Sequence, residues 1–165
     1  MSDDLLPAER KVLEALGDRP LDFGAMWAVS NLFRASAAIR RHMEANVLSA
    51  DRLSWTGFTG LWVLWVWGEM ESRDFAQAVG VSRPTATGVV TTLEGRGFVR
   101  RKKGARDGRM VLVSLTAAGK RKIERLFPRF NDEEVAVTSH LDDAQRDALA
   151  TLLRSMYRAV ERNGG

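Results

Sequence analysis

The sequence predicts a mainly α-helical protein with one small antiparallel β-hairpin, and three observations predict it. Apolar residues recur at helical spacing, from Val12, Leu13 and Leu16 near the start to Leu149, Leu152, Leu153, Met156 and Val160 near the end. Capping residues stand ahead of these periodic segments at Asp22, Ser54, Ser82, Thr116 and Asp142. One stretch alone, residues 98–115, reads as two strands around a turn. The composition agrees with a globular chain: 165 residues, 45% apolar, 28% charged, with 14 Gly and 4 Pro. That length suits one domain, or one domain with a modest extension.

The first helix is expected over residues 8–16, closed by Gly17 and Pro20. Asp22 caps a long second helix running to about residue 47, with Met26, Trp27, Val29, Phe33, Ala37 and Val47 among its apolar side chains. Ser54 caps a third over 55–67, ended by Gly68. Its sequence WTGFTGLWVLWVW is apolar nearly all round, which predicts burial on most sides and a place at the centre of the core. A short helix over 72–79 turns Phe75, Ala76 and Val79 inward, and Gly80-Val81-Ser82 forms a tight turn after it. Ser82 caps the next helix, which Pro84 enters in the first turn, where no internal N–H bond is lost.

In that helix Ala86, Val89, Val90 and Leu93 make one apolar stripe, opposite Arg83, Thr85, Thr87, Gly88, Thr91 and Thr92. Arg96-Gly97 ends it. Residues 98–103 and 109–115 are the hairpin strands, joined by a Gly- and Asp-bearing loop over 104–108. Thr116 caps a long helix expected to be interrupted at Pro128. Asp142 with Gln145 forms a capping-box-like start to the last helix, 143–162.

Charge is distributed unevenly. The whole chain carries +4, but residues 83–125 hold 12 basic side chains against Glu94, Asp107 and Glu124, so this segment carries +9 and the remainder −5. A basic middle between acidic flanks predicts an anionic partner that meets only the middle. Two helices around a Gly-containing turn, the second with a polar face of small residues, are a helix-turn-helix signature. A Thr- and Gly-rich face is small enough to sit deep in a major groove. Thr85, Thr87 and Thr91 offer hydroxyls and methyls to bases or phosphates, and the free N–H groups near Ser82 and Arg83 suit a phosphate oxygen. The basic hairpin RRKKGARDGR would follow the backbone or reach a minor groove. Double-stranded DNA is the expected partner.

The stretch 75–119, with GVSRPT, LEGRGFV, the D-x-R of Asp107 and Arg109, and LTAAG, is similar to the winged helix-turn-helix of the MarR family of bacterial regulators. The flanking helices fit the same layout. The resemblance implies N- and C-terminal helices, 1–53 and 116–165, that build a homodimer, and a winged DNA-binding domain over 54–115. It further implies a pseudo-palindromic operator and an Arg109 that enters the minor groove, oriented by Asp107. The DNA-binding residues so nominated are Ser82, Arg83, Pro84, Thr85, Thr87, Gly88, Thr91, Lys102, Lys103, Arg106, Asp107 and Arg109. Gly88 and Gly108 stand where many members have Arg, so base readout should lean on the threonines and on DNA shape. Small aromatic anions bind members of the family near the dimer helices. By that resemblance Trp27, Phe33, Arg34, Trp62 and Trp65 are nominated for an effector, with Arg34 facing its carboxylate, against the alternative that the tryptophans are simply core.

Other classes lack support in the sequence. Without Cys there is no disulfide, thiolate metal site, Cys nucleophile or thiol sensor. His42 and His140 form no metal motif, no nucleophile elbow or P-loop occurs, and neither a cofactor nor catalysis is expected. The longest apolar run, 61–67, is far short of the roughly 20 residues a membrane span needs. The acidic start Met-Ser-Asp-Asp lacks a signal core, which predicts a cytoplasmic protein. The leading expectation is a homodimeric, ligand-released repressor. A DNA binder without an effector, and a dimeric protein-interaction module with weakened DNA readout, stand beside it.

Overall fold

All five capping residues singled out in the sequence cap helices in the computed structural model, which describes residues 5–103 and 110–163. Asp22 Oδ1 accepts from the Ala25 N–H at 2.9 Å, Ser54 Oγ from Gly57 at 3.1 Å, and Ser82 Oγ from Thr85 at 3.3 Å. Thr116 Oγ1 accepts from Gly119 at 3.0 Å, and Asp142 and Gln145 exchange bonds at 2.8 and 2.9 Å. The elements they start are α2 (Phe23–Met43), α3 (Trp55–Trp67), α5 (Arg83–Gly95), α6 (Ala117–Val137) and α7 (Asp143–Asn163). Two more helices, α1 (Pro7–Leu16) and α4 (Ser72–Val79), complete the set. The fold is mainly helical with one antiparallel sheet, as expected.

The chain forms two compact units, residues 1–42 and 43–165. In the first, the start of α1 and the middle of α2 are tied together by a buried carboxylate. Glu9, 2% exposed, accepts from the Leu6 N–H at 2.7 Å and from Asn31 Nδ2 at 2.8 Å, so both of its oxygens are satisfied.

In the second unit α3 is the centre, packed against α4, α5 and α6. Its Leu61, Val63 and Leu64 are buried with Leu48, Phe75, Leu93, Val113 and Ile123. Gly60 lets the helix sit this deep, since a Cβ there would lie 2.8 Å from the Phe75 ring, and a Cβ on Gly57 would crowd the capping Ser54 Oγ at 3.3 Å. Phe58 stacks on Phe130 of α6 at 4.0 Å. Burial on most sides holds along α3 up to its C-terminal end, where Val66 and Trp67 are exposed.

Three features differ from expectation. The α-helical bonding of the second helix ends at Met43, and the helical run continues in π-geometry to Leu48, close to the end expected near 47. This five-residue π-turn, Glu44–Leu48, is followed by a short 3-10 turn, Ser49–Asp51, and Arg52 takes left-handed φ 50°. The side chain of Glu44 caps this junction, accepting from the Trp55 N–H at 3.0 Å. The hairpin strands β2 (Val99–Lys103) and β3 (Val111–Leu115) are joined by a third strand, β1 (Met70–Glu71), in the order β1-β3-β2. At two residues β1 is too short to show a period of its own. Finally, α6 runs unbroken through Pro128. Pro128 and Glu124, the residue that loses a partner, both face solvent, while Ile123, Leu126 and Phe130 hold the other side against the core. No described helix is long and apolar enough to cross a membrane.

Candidate nucleic-acid interface

The turn between α4 and α5 is set by Gly80, whose φ of 74° suits a residue without Cβ. Gly80 and Val81 donate to Gln77 and Ala76, which closes α4 and launches Ser82 into its capping position. Helix α5 then buries Ala86, Val90 and Leu93. The nominated residues Ser82, Arg83, Pro84, Thr85, Thr87, Gly88 and Thr91, with Thr92, all lie together on the exposed side. Gly88 has nothing within 4 Å of the place a Cβ would occupy. It opens onto a groove of about 320 Å³ shared with Arg52, Ser54, Thr92 and Arg96.

The threonine hydroxyls are engaged within the helix. Thr87 Oγ1 donates to the Arg83 carbonyl at 3.0 Å, Thr91 to Thr87 at 2.9 Å, and Thr92 to Gly88 at 2.9 Å. Ser82 and Thr85 share a hydroxyl–hydroxyl bond of 2.8 Å.

Arg101 fastens the hairpin to this helix. From β2, its Nη2 donates to Thr91 Oγ1 at 2.6 Å and to the Thr87 carbonyl at 3.2 Å, while Nη1 lies 3.3 Å from Glu94. Glu94 also accepts from the Arg101 backbone N–H at 3.0 Å, so backbone and side chain are held together. Neither Arg101 nor Glu94 was singled out from the sequence, although strand alternation carries the signal. Arg101 pairs with Val113 in the ladder and shares a face with buried Val99, the face toward α5. Its neighbours Lys102 and Lys103 are exposed, and Lys102 pairs with Glu69 at 3.2 Å. Arg106, Asp107, Gly108 and Arg109 lie outside the described residues.

The far end of α5 is clamped as well. Arg96 donates to the carbonyls of Arg52 and Asp51 at 2.7 and 2.6 Å and lies over the Phe98 ring. Lys122 of α6 meets Asp51 at 2.6 Å. The turn leading out of α2, the end of α5 and the start of α6 therefore form one polar junction.

The residues nominated for an effector fall in two units. Trp27, Phe33 and Arg34 lie on α2, where Trp27 meets Phe23 at 5.8 Å, Phe33 is exposed, and Arg34 donates to Asn31 at 2.8 Å along its own helix. Trp62 and Trp65 lie on α3, half-buried, with Trp62 edge-on to Trp67 and Trp65 5.5 Å from Phe127.

Known proteins resemble this chain over most of its length. A model of the MarR family matches residues 53–111. The uncharacterized HTH-type transcriptional regulator YwaE of Bacillus subtilis is 38% identical over 151 residues, 90% of this chain and 88% of its own. The HTH-type transcriptional repressor YetL of the same organism is 25% identical over 142 residues, 85% of this chain and 84% of its own. Among solved structures, Bordetella bronchiseptica BpsR, whose DNA binding is regulated by 6-hydroxynicotinic acid, superposes with TM-score 0.73 at 26% identity. That match covers 79% of this chain and 98% of BpsR.

Proposed function

The chain belongs to the MarR family of winged helix-turn-helix transcriptional regulators, and from that premise we propose that it acts as a homodimeric repressor released from its operator by a small aromatic acid. The observation that carries DNA binding is the exposed Thr/Gly face of α5, pinned through Arg101 to a basic strand within the segment of charge +9. In this reading Arg83 and the first-turn N–H groups of α5 meet a phosphate, α5 enters the major groove, and the basic hairpin follows the backbone outward. Arg109, oriented by Asp107, takes the minor groove.

Dimerisation is supported by α7, whose apolar row is left exposed: Leu152 is 64%, Tyr157 67% and Val160 69% accessible. A contiguous apolar row on an amphipathic helix suits a second copy of the same chain. Two copies would set their α5 helices about 34–36 Å apart to fit successive major grooves. An effector that prefers a different spacing weakens DNA binding by the same free energy with which DNA weakens the effector. The effector class follows BpsR, and the repressor sense follows YetL.

The test is duplex selection from random DNA, followed by titration over a salt series. Phosphate neutralisation makes log K fall linearly with log salt, and a flat response would overturn DNA binding. Five tryptophans make effector binding legible by fluorescence. A panel of aromatic acids that neither quenches it nor releases DNA would remove the effector from the proposal.

A further inference from the structure

Resting on the DNA-binding role just proposed, we propose that α5 specifies its operator by apolar contact with thymine methyl groups, through the γ-methyls of Thr87 and Thr91 on either side of Gly88. The argument begins with what the helix lacks. Between Pro84 and Gly95 there is no Arg, Lys, Asn or Gln. With Arg83, the first residue of α5, assigned to a phosphate, the rest of the helix has no side chain for the two-pronged contacts by which proteins distinguish guanine and adenine in the major groove. The hydroxyls do not replace them. Those of Thr87, Thr91 and Thr92 each donate to a carbonyl of the helix itself, at 3.0, 2.9 and 2.9 Å. The Thr91 oxygen is also an acceptor for Arg101 at 2.6 Å. Ser82 and Thr85 are bonded to one another at the mouth of the helix, so at most one of their two protons is available.

With most of its protons spent, this face presents to a base its threonine methyls and the acceptor oxygens beside them. In the major groove the group that matches the methyls is the C5-methyl of thymine, the one apolar feature by which a base pair can be told apart there. The shape of the helix suits the contact. At about 100° per residue, Pro84, Gly88, Thr91 and Gly95 form the row opposite the buried stripe, and all four are exposed. Neither Gly88 nor Gly95 has anything within 4 Å of a Cβ position, so packing within the chain demands neither glycine. Without side chains at these two places the helix can sink toward the base edges until the shorter threonine methyls touch. Arg101 fixes the depth and rotation of that approach by holding the Thr87 carbonyl and the Thr91 hydroxyl from the hairpin side.

The experiment uses the intact protein and the best duplex selected from random DNA. Each thymine of one half-site is replaced in turn by deoxyuridine, which removes the methyl and nothing else, and affinity is read by fluorescence anisotropy. At least one replacement should weaken binding about four-fold, the burial free energy of one methyl-sized group. Thr87→Ser or Thr91→Ser, which keep the hydroxyl and its bonds, should weaken binding to the thymine duplex by a similar factor. The same serine variant should add nothing further on the uracil duplex it is matched to, and Thr87→Val, which keeps a methyl and loses the hydroxyl, should bind more tightly than Thr87→Ser. Indifference to every uracil, or loss of affinity in Thr87→Val with none in Thr87→Ser, would overturn methyl recognition while leaving DNA binding intact. Selection of no duplex at all would overturn the DNA-binding role and this inference together.

Discussion

Helices α5 and α7 both turn a face to solvent, and the two faces are opposite in kind. Beyond Arg83 at its start, the face of α5 is uncharged and built of small residues, its Thr87, Thr91 and Thr92 hydroxyls closed onto its own backbone and its flank pinned by Arg101. The face of α7 carries Leu149, Leu152, Leu153 and Val160 in one row with Tyr157 close by, all exposed. Scattered apolar residues on a surface need no explanation, but a contiguous row at helical spacing does. An apolar row calls for a protein surface of the same chemistry, and a shallow row of threonine and glycine calls for something that approaches closely. That difference is the physical basis for proposing α7 for self-association and α5 for the groove of a duplex.

The largest effect should come from α7. Leu152→Glu places a charge in the middle of its apolar row at little cost to the separate subunit, where the side chain is already 64% exposed. Sedimentation should report a monomer. Since two linked half-sites gain 10²–10⁴ in avidity, operator affinity should fall by roughly a thousand-fold. A dimer that survives this substitution would separate α7 from self-association.

Next in size is Gly119→Ala, which attacks the frame behind α5 and leaves the α7 row untouched. The added Cβ would stand 1.9 Å from the Phe98 carbonyl oxygen, at the point where α6 begins against the end of α5. Backbone cannot yield there as a side-chain tip can, so a loss of about 3 kcal/mol is expected in chemical denaturation. Unchanged stability would mean that the α5–β2–α6 corner is looser than its contacts imply.

Arg101→Met tests the pin itself. Its bonds to Thr91 and Thr87 and its pairing with Glu94 are only partly shielded from water, which limits their joint contribution to about 1.5 kcal/mol. The more telling outcome is on DNA: affinity about ten-fold weaker, with Arg101→Lys failing to restore it because a single ammonium cannot span the three partners. A variant that binds as tightly as the parent would show that α5 keeps its orientation without the hairpin.

Where the sequence misled, the cause was a contact or a hydrogen bond that leaves no mark on the pattern of residue types. The five caps and the stripe of α5 were legible because a short side chain reaching a backbone N–H three residues on is a local event. The change from α- to π-geometry after Met43 and the left-handed Arg52 beyond it were not, because neither leaves a periodic trace. Pro128 read as a break, yet α6 continues because the proline falls on the solvent side while Ile123, Leu126 and Phe130 secure the other. On the exposed face of α5, the sequence pointed to Thr85, Thr87 and Thr91 as offering hydroxyls and methyls to bases or phosphates. Only the geometry of the helix reveals that the Thr87 and Thr91 protons are already donated. Arg101 was hidden among four consecutive basic residues, and the register with Val113 is what sets it apart.

The smallest effect is also the one that divides the two faces most cleanly, because its signs are opposed. Gly88→Ala fills open space in the free protein, since nothing lies within 4 Å of the new methyl. Relief of glycine's backbone entropy in a helix interior should raise stability by about 1 kcal/mol. If α5 were an ordinary solvated helix, that gain would be the whole consequence. If the Gly88 backbone must approach base edges, the same methyl lies between them and affinity should drop several-fold in anisotropy titrations, while the thermal midpoint rises. An equivalent substitution on the exposed side of α7, Ser155→Ala, raises helix propensity without entering any groove. It should leave DNA affinity where it was. A Gly88→Ala protein that is both more stable and equally tight on DNA would remove close approach from the description of α5, and with it the physical reason for a glycine at that position.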